Sequence, residues 1–150
     1  MRRIGVIGGE DPAPKILELA REVGKIIAKR GHLLVCGGLG GVMEAACAGA
    51  KEEGGKTVGI LPGVTCSDAN CWIDIPIVTG MGYARNVIVV LTSEVLIAVG
   101  GRYGTLSEIA YAFQFGIPVI GLSTWRIEGV SIRHTNSPDE AVSLAESAIQ

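Results

Sequence analysis

The amino-acid sequence predicts an α/β fold, a three-layer Rossmann-like sandwich built on a mainly parallel sheet. Three observations predict it. Short continuous apolar runs such as Val95-Leu96-Ile97-Ala98-Val99 have the length of strands buried on both faces. Segments with apolar residues at helical spacing lie between them, and neighbouring parallel strands require such crossovers. Glycine-rich turns follow the strands at Gly8-Gly9, at residues 37–41, at Pro62-Gly63, at residues 80–82 and at residues 100–104.

Each element can be justified in order. Residues 4–7 are a short buried strand ended by Gly8-Gly9. Residues 14–30 place Ile16, Leu19, Ala20, Val23, Ile26 and Ile27 on one helical face, and Gly31 is the stop signal. Leu33-Leu34-Val35-Cys36 is the second strand; it runs through Gly37-Gly38-Leu39-Gly40-Gly41 into a small-residue helix over residues 42–53. The small face of Ala45, Ala46 and Gly49 predicts close packing on the sheet. Thr57-Val58-Gly59-Ile60-Leu61 is the third strand, followed by a polar loop with Cys66, Asp68, Asn70, Cys71 and Trp72, of a length that often serves a site. Ile75 to Val78 is the fourth. Residues 83–91 are expected to be helical although Val87-Ile88-Val89-Val90 has strand propensity, because a parallel sheet needs a crossover there. After the fifth strand, Leu106, Ile109, Ala110 and Phe113 repeat at helical spacing. Val119-Ile120-Gly121-Leu122 is the sixth strand, and residues 123–132 read as a loop with a short edge strand. Ser137-Pro138-Asp139-Glu140 opens the last helix with an N-cap serine, a proline at the first position and a glutamate at the capping-box position.

A chain of 150 residues is expected to form one domain that buries its core without disulfides or metal. Its charged residues, 19% with a net charge of −2, are scattered, which argues against a nucleic-acid partner. Hydrophobic residues reach 48%, yet the longest runs are too short to cross a bilayer, so no membrane partner is expected. The excess predicts an apolar surface or a large interface. The start Met1-Arg2-Arg3 has the charge of a signal peptide, but the apolar stretch stops at Glu10-Asp11-Pro12, and a first strand is the better reading. Cysteines 36, 47, 66 and 71 form no C-x-x-C pair and histidines are two, so no structural metal is expected; reduced thiols in a cytoplasmic protein are. A bridge or metal at Cys66 and Cys71, which share a loop, is the lesser alternative.

The stretch Val99-Gly100-Gly101-Arg102-Tyr103-Gly104-Thr105-Leu106-Ser107-Glu108 carries the chemistry. A glycine-rich turn feeding a helix offers free N–H groups and the positive end of the helix dipole, which suit a phosphate. Thr105 and Glu108 also have the T-x-x-E spacing of a capping box, a purely structural alternative. Ligands of parallel α/β sheets bind at the carboxyl ends of the strands, where the glycine turns should gather. The phosphate-binding candidates are therefore Gly8, Gly9, Gly37, Gly38, Gly101, Gly104 and Thr105. No G-x-G-x-x-G with a ribose-binding acid is present, which disfavours an ordinary NAD-dependent dehydrogenase.

Gly37-Gly38-Leu39-Gly40-Gly41-Val42-Met43-Glu44 is similar to the first motif, G-G-G-x-x-G-L-M-G, of the Lonely-guy (LOG), lysine-decarboxylase-like family. Gly55-Lys56-Thr57-Val58-Gly59-Ile60-Leu61-Pro62 resembles that family's next strand, and Gly101, Gly104, Thr105 and Glu108 match its P-G-G-x-G-T-x-E-E. The resemblance covers most of the chain. It implies Arg85 and Glu108 as the catalytic pair of a nucleoside 5′-monophosphate phosphoribohydrolase, which releases a base and ribose 5-phosphate. An arginine can neutralise phosphate or position the ribose, and a carboxylate can stabilise oxocarbenium character or orient water. The sequence departs from the enzyme pattern at Asn86 for lysine, Gly100 for proline, Arg102 for glycine and Ser107 for glutamate. The run from Asp74 through Gly80-Met81-Gly82-Tyr83-Ala84-Arg85-Asn86 looks closer to the molybdenum-cofactor carrier branch, which implies pterin-phosphate binding and an oligomer.

The expected function is therefore binding of a small phosphate-bearing ligand, a pterin or a nucleotide, with hydrolysis as the alternative. No cofactor is required; molybdopterin or a nucleotide is the candidate bound group. Lysine decarboxylation is not supported, since no pyridoxal-phosphate lysine stands in its context. Arg102 is either a phosphate clamp or an exposed turn residue. Tyr83 and Tyr103 either stack on a base or close a core edge or an oligomer contact. Met43 and Trp72 read as packing. A homo-oligomer, dimer or tetramer, is expected, with residues 87–91 and 111–115 as candidate interfaces.

Overall fold

The computed structural model describes residues 1–149. Seven strands, β1 (Arg3–Gly8), β2 (Leu33–Cys36), β3 (Thr57–Leu61), β4 (Ile75–Val78), β5 (Val95–Val99), β6 (Val119–Leu122) and β7 (Arg133–Thr135), form one sheet in the order β4-β3-β2-β1-β5-β6-β7. Every neighbouring pair is parallel. The helices are α1 (Pro14–Lys29), α2 (Val42–Glu52), α3 (Asn86–Thr92), α4 (Tyr103–Phe115) and α5 (Pro138–Ala148).

Strand alternation divides the core into two layers. Ile4 and Val6 of β1, with Val95, Ile97 and Val99 of β5, face α1, α2 and α5. Ile7, Leu96 and Ala98 face α3 and α4. The Rossmann-like sandwich is therefore as expected, with a wholly parallel sheet. Residues 83–91 are the helical crossover that topology demands, entered through a 3-10 turn over Gly82–Arg85.

Four local expectations need correction. The small face of α2 packs on α1 rather than on the sheet: a Cβ at Gly24 would fall inside the Ala46 carbonyl, and one at Gly49 inside the Arg21 carbonyl. On α4 the inward face is Thr105, Glu108, Ile109 and Ala112, while Ala110 and Phe113 are exposed. The last edge strand starts only at Arg133, because Trp125, Ile127 and Ile132 of the preceding loop pack onto the α3–α4 core instead of extending the sheet. Ser137 caps α5 through the Glu140 N–H at 3.3 Å, but the Glu140 carboxylate is taken by the Thr135 hydroxyl, so the box stays half closed.

Candidate functional site

The sheet order reverses between β1 and β5, and at such a switch point the chain leaves adjacent strand ends in opposite directions and opens a crevice. A cleft of about 390 Å³ occupies this place. Its floor is Val6 and Ile7, its rims are Gly8, Gly9 and Glu10 after β1 and Gly37 and Leu39 after β2, and Pro62 follows from β3. Arg102, Gly104, Thr105 and Glu108 of the β5–α4 turn close the opposite side, with Gly82, Tyr83, Arg85 and Asn86 beside them.

The two glycine-rich helix starts differ. The start of α2 is closed, since the Val42 N–H donates to the Gly9 carbonyl at 3.0 Å and a Cβ at Gly41 would collide with Gly9 and Glu10. The start of α4 is open. Its N-cap is Arg102, no side chain caps it, and the N–H groups of Tyr103, Gly104 and Thr105 have no intrahelical acceptor. This overturns the capping-box alternative: Thr105 is the third residue of the helix, so its side chain cannot serve as the cap. Gly38 and Gly101 do not line the cleft. They shape its turns, with φ of +79° and +106°, Gly38 against Gly59 and Leu61 and Gly101 against the Thr105 side chain.

Arg85 is not a surface residue; it is only 7% exposed. Its Nε donates to the Ile60 carbonyl at 2.8 Å, one terminal nitrogen to the Gly37 carbonyl at 3.3 Å, and the other to Asn86 Oδ1. A Cβ at Gly37 would stand 2.7 Å from the guanidinium, so glycine there makes room for it. Asn86 Nδ2 then donates to Ser107 Oγ at 3.1 Å, and Ser107 Oγ donates to the Gly104 carbonyl at 2.6 Å. Burial lowers the Arg85 pKa, opposed by the negative charge of Glu108 first and then by Cys36, Glu10 and Tyr83. Glu108, also 7% exposed, makes no hydrogen bond or ion pair within 4.0 Å among the described residues. Burial pushes its carboxyl up to about 8 against the opposing field of Arg85.

The structure thus brings Arg85, Glu108, Gly8, Gly9, Gly37, Gly104 and Thr105 to one cleft. Sequence reasoning missed the apolar lining and the part played by Asn86, whose signal was a polar residue opening an apolar helix. Met43 is buried and forms part of the cleft wall, whereas Trp72 is 41% exposed and does not pack as expected. Tyr83 and Tyr103 are both exposed; Tyr83 stands at the cleft mouth, and the Tyr103 ring lies 6.3 Å from that of Trp125. Arg102 lines the cleft, and its carbonyl accepts the Trp125 indole N–H at 2.9 Å. Cys66 and Cys71 are free exposed thiols, and no three metal-ligating side chains cluster among the described residues.

Residues 1–149 match the SLOG cluster4 family. The chain belongs to this family. A protein of Archaeoglobus fulgidus is 47% identical over 151 residues, covering 99% of this chain and 97% of that one. The cytokinin riboside 5′-monophosphate phosphoribohydrolase of Mycobacterium tuberculosis is 36% identical over 121 residues, which span 74% of this chain and 64% of the enzyme. Among solved structures, the molybdenum cofactor binding protein of Rippkaea orientalis superimposes with a TM-score of 0.93 at 39% identity, covering 99% and 98% of the two chains. The molybdenum cofactor carrier protein of Chlamydomonas reinhardtii follows with 0.90 at 37%, covering 99% and 98%. The chain is thus LOG-like, near the molybdenum-cofactor carrier branch, with the fold of a ligand-binding protein. No helix among the described residues is long and apolar enough to cross a membrane.

Proposed function

We propose that this SLOG cluster4 protein binds a phosphate-bearing pterin or nucleotide in the cleft and holds it intact. The observation that carries this reading is the geometry of the cleft, an uncapped start of α4 beside a fixed Arg85 guanidinium and an apolar floor. Arg85 already donates to the Ile60 and Gly37 carbonyls and to Asn86, so its charge is offered to a ligand from a position set by the protein. Glu108 is buried without a hydrogen-bond partner, and that burial favours its neutral form, which gives little stabilisation to a developing oxocarbenium ion. A cleft in that state attracts an anion and gives glycosidic hydrolysis little help.

In this reading the phosphate lies at the open start of α4, on the N–H groups of Tyr103, Gly104 and Thr105, across from Gly8 and Gly9. Gly37, Gly38 and Gly101 shape the surrounding turns. The heterocycle lies on Val6, Ile7, Leu39, Met43 and Pro62. Molybdopterin fits this donor set, an apolar wall for its ring and a helix terminus for its phosphate. Bound there it is cargo, and its metal chemistry belongs to whichever enzyme receives it. Calorimetric titration of the folded protein with molybdopterin and with AMP tests the reading. Saturable binding of either is expected; binding of neither overturns it.

A second reading, phosphoribohydrolase activity, is favoured by the convergence of Arg85 and Glu108 and by the likeness to the mycobacterial enzyme. It requires ionised Glu108. Release of adenine and ribose 5-phosphate from AMP should then rise as pH passes through about 8 and vanish in Glu108→Ala. Equal rates in both proteins would exclude it. We further infer a cytoplasmic homo-oligomer, dimer or tetramer, with neither nucleic acid nor membrane as partner.

A further inference from the structure

We propose that Asn86 is a positioning residue, which locks Arg85 to the anion-binding end of α4 so that the two halves of the cleft act as one unit. The inference rests on the binding function proposed above. Asn86 is buried, at the first position of α3, and its amide works in both directions. Its Oδ1 accepts from the Arg85 guanidinium, and its Nδ2 donates to Ser107 Oγ at 3.1 Å. Ser107 passes the connection to the carbonyl of Gly104, a residue of the α4 start that lines the cleft.

The other two anchors of Arg85, the carbonyls of Ile60 and Gly37, belong to the β2 and β3 side of the cleft. Asn86 is therefore the side chain that ties the guanidinium to the α4 side. A guanidinium has five N–H donors in a fixed fork, so three of them determine its plane and two remain for a ligand. An amide is the functional group suited to this place. A hydrophobe would leave a buried donor of Arg85 without its partner, and the lysine of the enzyme pattern, a donor with no acceptor, could not take that N–H either. An anion bound at Gly104 thus meets a guanidinium whose orientation is set from the same helix. Preorganisation of this kind shows in affinity rather than in contact number.

The test is a double-substitution cycle on Asn86 and Ser107, read by calorimetry with AMP and with molybdopterin, alongside thermal melting. Ser107→Ala removes the bond from Asn86 and the Ser107 hydroxyl's own bond to the Gly104 carbonyl, a loss that the better helix propensity of alanine offsets in part, so this variant is expected to fold and to melt within a few degrees of the wild type. It is expected to weaken binding roughly threefold and Asn86→Ala roughly tenfold, the size of one lost hydrogen bond to a charged group. The double variant should bind no more weakly than Asn86→Ala alone. A merely structural role for Asn86 predicts lower melting temperatures with unchanged affinity. Wild-type affinity in Ser107→Ala, or fully additive losses in the double variant, would overturn the relay while leaving the binding function standing. Failure of the wild type to bind either ligand would overturn both.

Discussion

Glu108 is a carboxyl that folding keeps protonated, and this makes the stability of the chain depend on pH. Its ordinary value of 4.5 rises to about 8 on burial, so between these values the folded chain holds a proton that the unfolded chain has lost. The stabilisation is complete below the unfolded value and is lost as pH rises through the folded one. Glu108→Gln keeps the shape and removes the titration. It should match the wild type near pH 4 and exceed it at pH 9 by roughly 5 kcal/mol if the whole shift from 4.5 to about 8 is expressed. Urea denaturation at pH 4, 7 and 9 reads this directly, and parallel pH profiles for the two proteins would show that the carboxyl is already ionised when buried. Why Glu108 is buried was not legible locally: a T-x-x-E pattern also describes a cap, and only the backbone of Arg102, which starts the helix earlier, rules that out. Arg85 teaches the same lesson. Its acceptors Ile60 and Gly37 are 25 and 48 residues away, so no local pattern could show it buried.

Elements were more legible than their partners. Buried parallel strands announce themselves as apolar runs, and helix faces as periodicity, because both signals lie within one segment. What α2 packs on is a tertiary fact. Gly24 and Gly49 bring α1 and α2 into backbone contact, and the sequence pattern of small residues is equally compatible with a sheet below. The contact makes a sharp prediction. In Gly24→Ala the new methyl would overlap the backbone of Ala46, which cannot move aside as a flexible side chain would. With the methyl set inside the Ala46 carbonyl, the overlap belongs at the upper end of overpacking costs, about 3 kcal/mol, against a gain in helix propensity of under about 1 kcal/mol. At Gly54, φ is +69° and nothing lies within 4 Å, so alanine there incurs only the left-handed backbone penalty of about 1–2 kcal/mol. Chemical denaturation should therefore rank Gly24→Ala at least as damaging as Gly54→Ala. A Gly24→Ala protein as stable as the wild type would mean that the two helices can separate without loss.

At the scale of the whole molecule the two helical layers are unequal. Three helices cover one face of the seven-stranded sheet and two cover the other, and α3 is only seven residues long. The thinner layer leaves apolar groups outside: Leu91 is 53% exposed on α3, Phe113 and Phe115 are exposed on α4, which packs on α3, and Tyr111 stacks on Phe115 at 6.4 Å. Single exposed hydrophobes need no explanation, but a group on two packed helices is the kind of patch that marks an association surface. The high hydrophobic content raised this expectation from composition, and residues 87–91 and 111–115 were the segments it pointed to; only half of the first is outward, since Val89 and Val90 are buried in the core. The homo-oligomer inferred above should use this face. Sedimentation of the wild type is expected to show a dimer or tetramer, and the double substitution Leu91→Glu with Phe113→Glu to show one chain with unchanged far-ultraviolet circular dichroism. Burying two carboxylates in an apolar contact without partners is prohibitive, while exposing them on a free surface costs almost nothing. A wild type that already sediments as one chain would remove the oligomer, and a substituted protein that keeps the wild-type mass would move the interface elsewhere on the molecule.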